Sequence, residues 1–140
     1  MTDNVEKGSM NYVADIAKYD AKEGVVYGFV TVYEEGGQPL IDKQNDVITE
    51  QEVVKMAHKY VSDARVAKVM HNGAKVGEIV ESIVLTRDLQ KALGIDLGKA
   101  GWFIGMKLND EAVKQRVAKG ELKAFSIGGK GFRRKIAKGN

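Results

Sequence analysis

The sequence predicts an α+β domain, a small barrel or strongly bent sheet with helices at its periphery. Three observations carry this. The chain has 140 residues, 44% apolar and 29% charged, which fits one ordinary domain with a real core. Five or so stretches rich in β-branched and aromatic residues are separated by turn signals. Two or three stretches of helical periodicity fall between them, so the order is mostly β. There is no internal repeat.

The elements follow in order. Residues 1 to about 22 read as an N-terminal arm with a short strand around Tyr12–Ile16. The domain proper is expected over residues 23–134, with a basic tail over 135–140. Gly24–Tyr33 reads as a strand, broken by the turn residues Glu34–Pro39. Thr49-Glu-Gln-Glu52 is a capping box, in which Thr49 and Glu52 satisfy each other's backbone amides. It opens a helix with an apolar stripe of Val53, Val54, Ala57, Tyr60 and Val61, and His58 falls off that stripe. Val66–Met70 is a short strand that delivers His71 to the tight-turn dipeptide Asn72-Gly73. Val76–Leu85 alternates as the next strand, and Thr86–Leu93 forms a short helix ended by Gly94. Ala100–Leu108 is a further strand with Trp102 as its core anchor. Asn109 or Asp110 caps a helix that runs to Lys119 and stops at Gly120. Leu122–Gly128 is the last clear strand.

Composition removes much of the chemical menu. The chain has no cysteine and two histidines, His58 and His71. Disulfides, thiol catalysis, zinc fingers and iron–sulfur clusters all need Cys. No cofactor and no metal site is expected, and imidazole catalysis must use one of these two residues. The net charge is +3, but Lys130–Asn140 alone carries five cations and no acid, leaving 17 basic against 19 acidic residues elsewhere. This is a near-neutral body with a basic end, and the plain reading of that end is a solvated tail. Met1–Met10 lacks the apolar core of a signal peptide, and no run is long enough to span a bilayer. Three sharper motifs fail. Gly128-Gly-Lys-Gly131 has the wrong spacing for a Walker A loop. Lys130-Gly131-Phe132 is followed by Arg133 and Arg134 where an RNA-binding RNP1 box needs small and aromatic residues. Asp42–Asp46 lacks the glycine and glutamate of a calcium loop.

One constellation survives. Of four serines, only Ser126 stands at the end of an apolar strand and enters Ile127-Gly128-Gly129. Such glycines let backbone amides turn toward a developing oxyanion. A serine hydroxyl needs a base to take its proton, and His71 also sits just past a strand. On spacing alone, a serine before glycines is more often a turn residue. Glu81 falls on the strand face that carries Gly77, Ile79, Ile83 and Leu85. A carboxylate among apolar neighbours needs a partner. That partner is either the His71 ring, which Glu81 would orient as the third member of a triad, or a Lys or Arg in an ordinary salt bridge.

Five segments in order extend the pattern: Asp42-Lys-Gln-Asn-Asp-Val-Ile48, His71 in Val-Met-His, Gly77–Ser82, Gly101–Met106 with Asn109–Glu111, and Gly120–Gly129. With these, the stretch from about Gly24 to Arg134 resembles the XkdF-like phage serine proteases. These are a branch of the phage prohead (capsid maturation) proteases, related in fold to herpesvirus assemblins. The Phe-Ser-Ile-Gly motif around Ser126 is its most specific part. The resemblance implies an assemblin-like bent β-barrel of about five to seven strands with two or three peripheral helices. It implies a serine protease domain over residues 23–134, with Ser126 as nucleophile and His71 as general base. An oxyanion site is expected at Ile127, Gly128 and Gly129, helped by Arg133 and Arg134. Two departures stand out. No Asp, Glu or His follows Ser126, so the third member is Glu81 from upstream, is absent in a Ser–His dyad, or lies beyond this sequence. Asn45 stands where relatives often have Gly before Asp46.

The resulting expectation is a serine endopeptidase that cleaves phage scaffold and major capsid proteins, and itself, inside the procapsid in the host cytoplasm. A homo-oligomer is allowed, a membrane is not expected, and nucleic acid is not an expected partner. Two rivals belong to other classes. One is a catalytically inactive, protease-like domain kept for its scaffold contacts. The other is an anion- or nucleic-acid-binding module using the basic tail, whose binding would weaken steeply with salt.

Overall fold

Seven strands and three helices alternate along the described chain. They are β1 (Asp3–Asp20), β2 (Val25–Glu35), β3 (Gln38–Pro39), α1 (Glu50–Asp63), β4 (Lys68–His71), β5 (Ala74–Leu85), α2 (Arg87–Leu93), β6 (Lys99–Leu108), α3 (Glu111–Ala118) and β7 (Ala124–Ile136). This computed structural model describes residues 3–41, 47–63 and 68–136, with side chains described for 13–41, 47–63 and 69–128. The Asp42–Asp46 segment, with Asn45, lies outside the described residues, as do Val66 and Ala67 at the head of the expected short strand.

The strands are hydrogen-bonded in the order β1-β7-β4-β5-β6-β2-β3, and β1 also pairs with β2. Every pairing is antiparallel. Six strands therefore close into a barrel, and β3 hangs on the β2 edge. The α+β small barrel expected from the strand-rich order is the fold found. Among the described residues no helix is long and apolar enough to cross a membrane.

Closure depends on the segment that reads as an arm. Residues 3–20 form one strand, β1, which pairs with β7 from Asp3 to Asp15 and with β2 from Asp15 to Asp20. Its far pairings take up the basic end: Glu6 stands opposite Arg133 and Val5 opposite Arg134. Residues 130–136 are thus a strand. Period-two alternation is weak on both segments, and each becomes a strand because the other supplies its ladder. Gly28 shows how close the closure is. A Cβ there would lie 2.0 Å from the Asp15 carbonyl oxygen, so a side chain would push β1 off β2.

The helix signals hold locally. The Thr49 amide donates to Glu52 Oε1 at 3.0 Å, and the Glu52 amide donates to Thr49 Oγ1 at 3.2 Å. Val53, Ala57 and Tyr60 of α1 are buried, whereas Val61 and His58 are exposed. Thr86 accepts from the Leu89 amide to start α2, and Gly94 ends it in the left-handed region at φ 72°. Asp110 caps α3 through the Val113 amide at 3.0 Å.

The core lies between the barrel wall and α1. Trp102, Ile104, Met106 and Leu108 of β6 meet Phe125 and Ile127 of β7, Val69 of β4 and Val53, Ala57 and Tyr60 of α1. Trp102 is the anchor its position suggests. Its ring meets Tyr60 edge to face at 5.2 Å, and its indole N–H donates to Ser82 Oγ at 2.9 Å. The Tyr60 hydroxyl continues to the Gly128 carbonyl at 2.8 Å, which ties α1 to β7 two residues past Ser126.

Candidate active site

β7 places Ser126 by simple alternation. Phe125 and Ile127 are buried, so Ser126 between them faces out and is exposed. In the same outward row stand Val13 of β1 and Met70 of β4, which are its ladder partners.

His71 is placed by a hairpin. Asn72 and Gly73 both have positive φ, 52° and 78°, the two-residue turn that matches strand twist. That turn makes His71 the last residue of β4, opposite Ala74. β4 runs against β7 with Val69 opposite Ile127 and Met70 opposite Ser126. One step further sets His71 against Phe125, and the two rings meet edge to face at 6.2 Å. Residues opposite one another share a face. The imidazole is thus on the Phe125 side of the ladder and the Ser126 hydroxyl on the other. The two residues are neighbours on adjacent strands, one position apart. Among the described residues no hydrogen bond joins them. His71 Nε2 instead lies 3.4 Å from Asn72 Nδ2 and 3.4 Å from Arg116 Nη1. Arg116 in turn donates from Nε to Glu121 Oε1 at 3.4 Å.

Glu81 is elsewhere. It is seven residues along β5 from Ala74, about 20 Å at the usual strand rise. A bulge between Ile79 and Glu81 changes the face, so Glu81 points to solvent opposite Gly105 and not among the apolar residues expected around it. There it accepts the Tyr27 hydroxyl at 2.9 Å. That bond is the main reason the Tyr27 phenol is held above its ordinary pKa. Glu81 does not orient His71 in this arrangement.

The expected oxyanion segment does not leave the sheet as a glycine loop. Ile127, Gly128 and Gly129 continue β7 opposite Tyr12, Asn11 and Met10 of β1, and Gly128 also stands opposite Lys68 of β4. Arg133 and Arg134 lie seven and eight residues beyond Ser126 on the same strand, more than about 20 Å away along it. Their side chains lie outside the described part.

Arg116 and Asn72 are the residues that sequence reasoning missed. Asn72 was visible only as a turn former. Arg116 sits in the last turn of α3, where a cation ordinarily complements the helix dipole. Nothing local ties it to a histidine 45 positions away.

The strongest polar cluster is remote from this site. Arg87 grips Glu34 with two bonds, Nε to Oε1 at 2.6 Å and Nη2 to Oε2 at 2.8 Å, and reaches Asp96 at 3.1 Å. The Gly37 amide adds a fourth bond, to Glu34 Oε2 at 2.8 Å. The Arg87 bonds first, then that amide, bring the Glu34 carboxyl down to about 2. This clamp holds the β2–β3 turn to α2 and the loop before β6.

A small closed barrel with a serine and a histidine on adjacent strands is the class of domain these features define. Residues 12–134 match the family described as "Putative phage serine protease XkdF", and the chain belongs to that family. It is also similar to the "Uncharacterized protein YqbD" of Bacillus subtilis (strain 168), 33% identical over 115 residues. That match covers 81% of this chain and 34% of the relative, so the chain spans about a third of the curated relative's length. No solved structure gives a significant match.

Proposed function

We propose that this chain carries the catalytic domain of a phage serine endopeptidase, with Ser126 as nucleophile and His71 as general base. Membership of a phage serine protease family supports the class. The observation that carries the residue assignment is the β4–β7 register. Met70 opposite Ser126 puts His71 one position from the serine, at the free end of a hairpin. Because the Cβ direction fixes the face, a backbone shift at that end must carry the ring to the Ser126 side. His71 then takes the Ser126 proton as Oγ attacks the scissile carbonyl. It returns the proton to the leaving amine, and water resolves the acyl-enzyme. The amides of Ile127–Gly129 serve the oxyanion when the β1 ladder loosens there. With Glu81 engaged by Tyr27, Ser126 and His71 are the members of the catalytic set that this reading assigns. The proposed substrates are the phage scaffold protein, the major capsid protein and the chain itself, within the procapsid.

A fluorophosphonate tests this directly. It should label wild-type protein at Ser126, label His71→Ala far more slowly, and leave Ser126→Ala unlabelled. Scaffold processing and self-cleavage should disappear in Ser126→Ala while its unfolding midpoint stays at the wild-type value. Processing at the wild-type rate by Ser126→Ala removes the assignment. A second reading, an inactive protease-like domain that binds scaffold, is favoured by one observation: ring and hydroxyl lie on opposite faces of the ladder. A folded wild-type protein that never labels would establish it.

A further inference from the structure

Arg116 reaches back from α3 over the His71 ring, with Nη1 3.4 Å from Nε2. A guanidinium has five N–H donors, no acceptor, and is always charged. As a hydrogen bond the contact needs a lone pair on Nε2, which the Nδ1–H tautomer of the ring supplies. Asn72 Nδ2, at 3.4 Å from the same nitrogen, is also only a donor. Two donors from different elements thus converge on one nitrogen. A general base for Ser126 needs an open lone pair. In that tautomer Nε2 faces both donors and Nδ1 has no lone pair to offer, so the base is withheld.

The guanidinium that withholds it is open to competition. The Arg116 side chain is 48% exposed, and its other partner, Glu121, is 51% exposed. Among the described residues its Nη2 makes no hydrogen bond, so the Nη1–Nη2 edge presents a fork to solvent. A carboxylate docked on that fork makes two charge-assisted bonds, each stronger than the long contact to a neutral ring nitrogen. The surroundings favour an anion: Lys119 and Lys123 are exposed on either side of Glu121 in the segment that leads into β7. A carboxylate there draws Nη1 away from His71 and frees Nε2 and the ring for the move to the Ser126 side.

We infer that Arg116 determines substrate specificity by withholding the Nε2 lone pair of His71 until an acidic side chain of the substrate takes its guanidinium. This rests on His71 being the base for Ser126, and the test separates the two. In protein labelled with ¹⁵N, glutarate at tens of millimolar should move the His71 Nε2 resonance of wild type and leave that of Arg116→Ala in place. A neutral fluorophosphonate should label Ser126 of Arg116→Ala roughly two- to tenfold faster than wild type, the factor that corresponds to one net hydrogen bond. Glutarate should accelerate wild type by a similar factor and leave Arg116→Ala unchanged.

On a library of peptides with acetylated and amidated ends, wild type should prefer Asp or Glu at one position beside the cleaved bond, and the preference should appear in kcat. Arg116→Ala should lose it, and Arg116→Lys, which keeps the charge without the fork, should retain part. Blocked ends distinguish a side-chain carboxylate from a chain terminus. A preference for free C-termini over acidic side chains overturns the inference. So does a His71 resonance that ignores glutarate, or equal labelling of wild type and Arg116→Ala. If Ser126 stays unlabelled in every variant while the resonance still answers to glutarate, the base role fails and the Arg116 carboxylate site stands.

Discussion

The β2–β6 ladder runs from Val25 opposite Lys107 to Glu35 opposite Lys99, whereas among the described residues β4 meets β7 from Lys68 to Met70. The first half of the wall is dressed on its outside as well. Tyr27 stacks on Phe103 at 6.1 Å, Phe29 meets Phe103 edge to face at 5.1 Å, and Lys99 lies 5.0 Å over Phe29. Inside, the same strands hold Trp102, Ile104 and Met106. The second half has a four-residue strand, a two-residue turn and the glycines of β7. Extended ladders with cross-strand aromatic pairs resist opening, while short ladders with few side chains to pack open at lower cost. The candidate site is on the second half, at the end of a hairpin strand. Framework and candidate site are thus divided between the two sides of one barrel.

Substitutions that break or sharpen this division differ in expected size. Trp102→Ala should cost most, about 3–5 kcal/mol, because it empties the core between β6 and α1. Denaturant unfolding measures it, and a loss below about 1 kcal/mol would mean that the framework half does not carry the stability. Gly28→Ala should follow at about 1–3 kcal/mol, since its Cβ meets the Asp15 carbonyl at 2.0 Å. Amide exchange should show the loss along β1 first. Uniform loss across the barrel would mean that closure and framework are one unit.

The acid limb comes next. The folded Glu34 carboxyl is depressed to about 2. A depressed folded value contributes stability that is present above the ordinary carboxylate range and lost as pH falls toward about 2. The midpoint gap between wild type and Glu34→Gln should therefore be full at neutral pH and narrow on acidification. A gap independent of pH argues against the Arg87 clamp. Smallest of all is Glu81→Gln, which should leave fluorophosphonate labelling of Ser126 unchanged, because Glu81 faces Tyr27 on the framework half. A large loss there would return Glu81 to the His71 ring.

Much of this molecule is legible without coordinates. The Thr49–Glu52 box, the Asp110 cap, the Asn72-Gly73 turn and the buried Trp102 strand all appear where the residues imply. Each rule involved spans only a few positions, and nothing distant overrides it. The adjacency of the His71 and Ser126 strands is weaker as a sequence inference, since two strand ends could have met other partners. The errors have one origin. Residues 3–20 carry little alternation and become a strand through pairing with β7 and β2. Glu81 changes face because of a bulge that no local signal announces.

By itself the sequence determined the local punctuation, the α+β class, the absence of cysteine chemistry and the short set of residues that could act together. Tertiary structure alone decided which face each of them occupies. It closed the barrel with β1, turned Glu81 toward Tyr27, set the His71 ring beside Phe125 and brought Arg116 onto its Nε2. The reason is physical. Caps and turns depend on neighbours in the chain, whereas the face of a strand residue depends on register and bulges summed along partners far away in sequence.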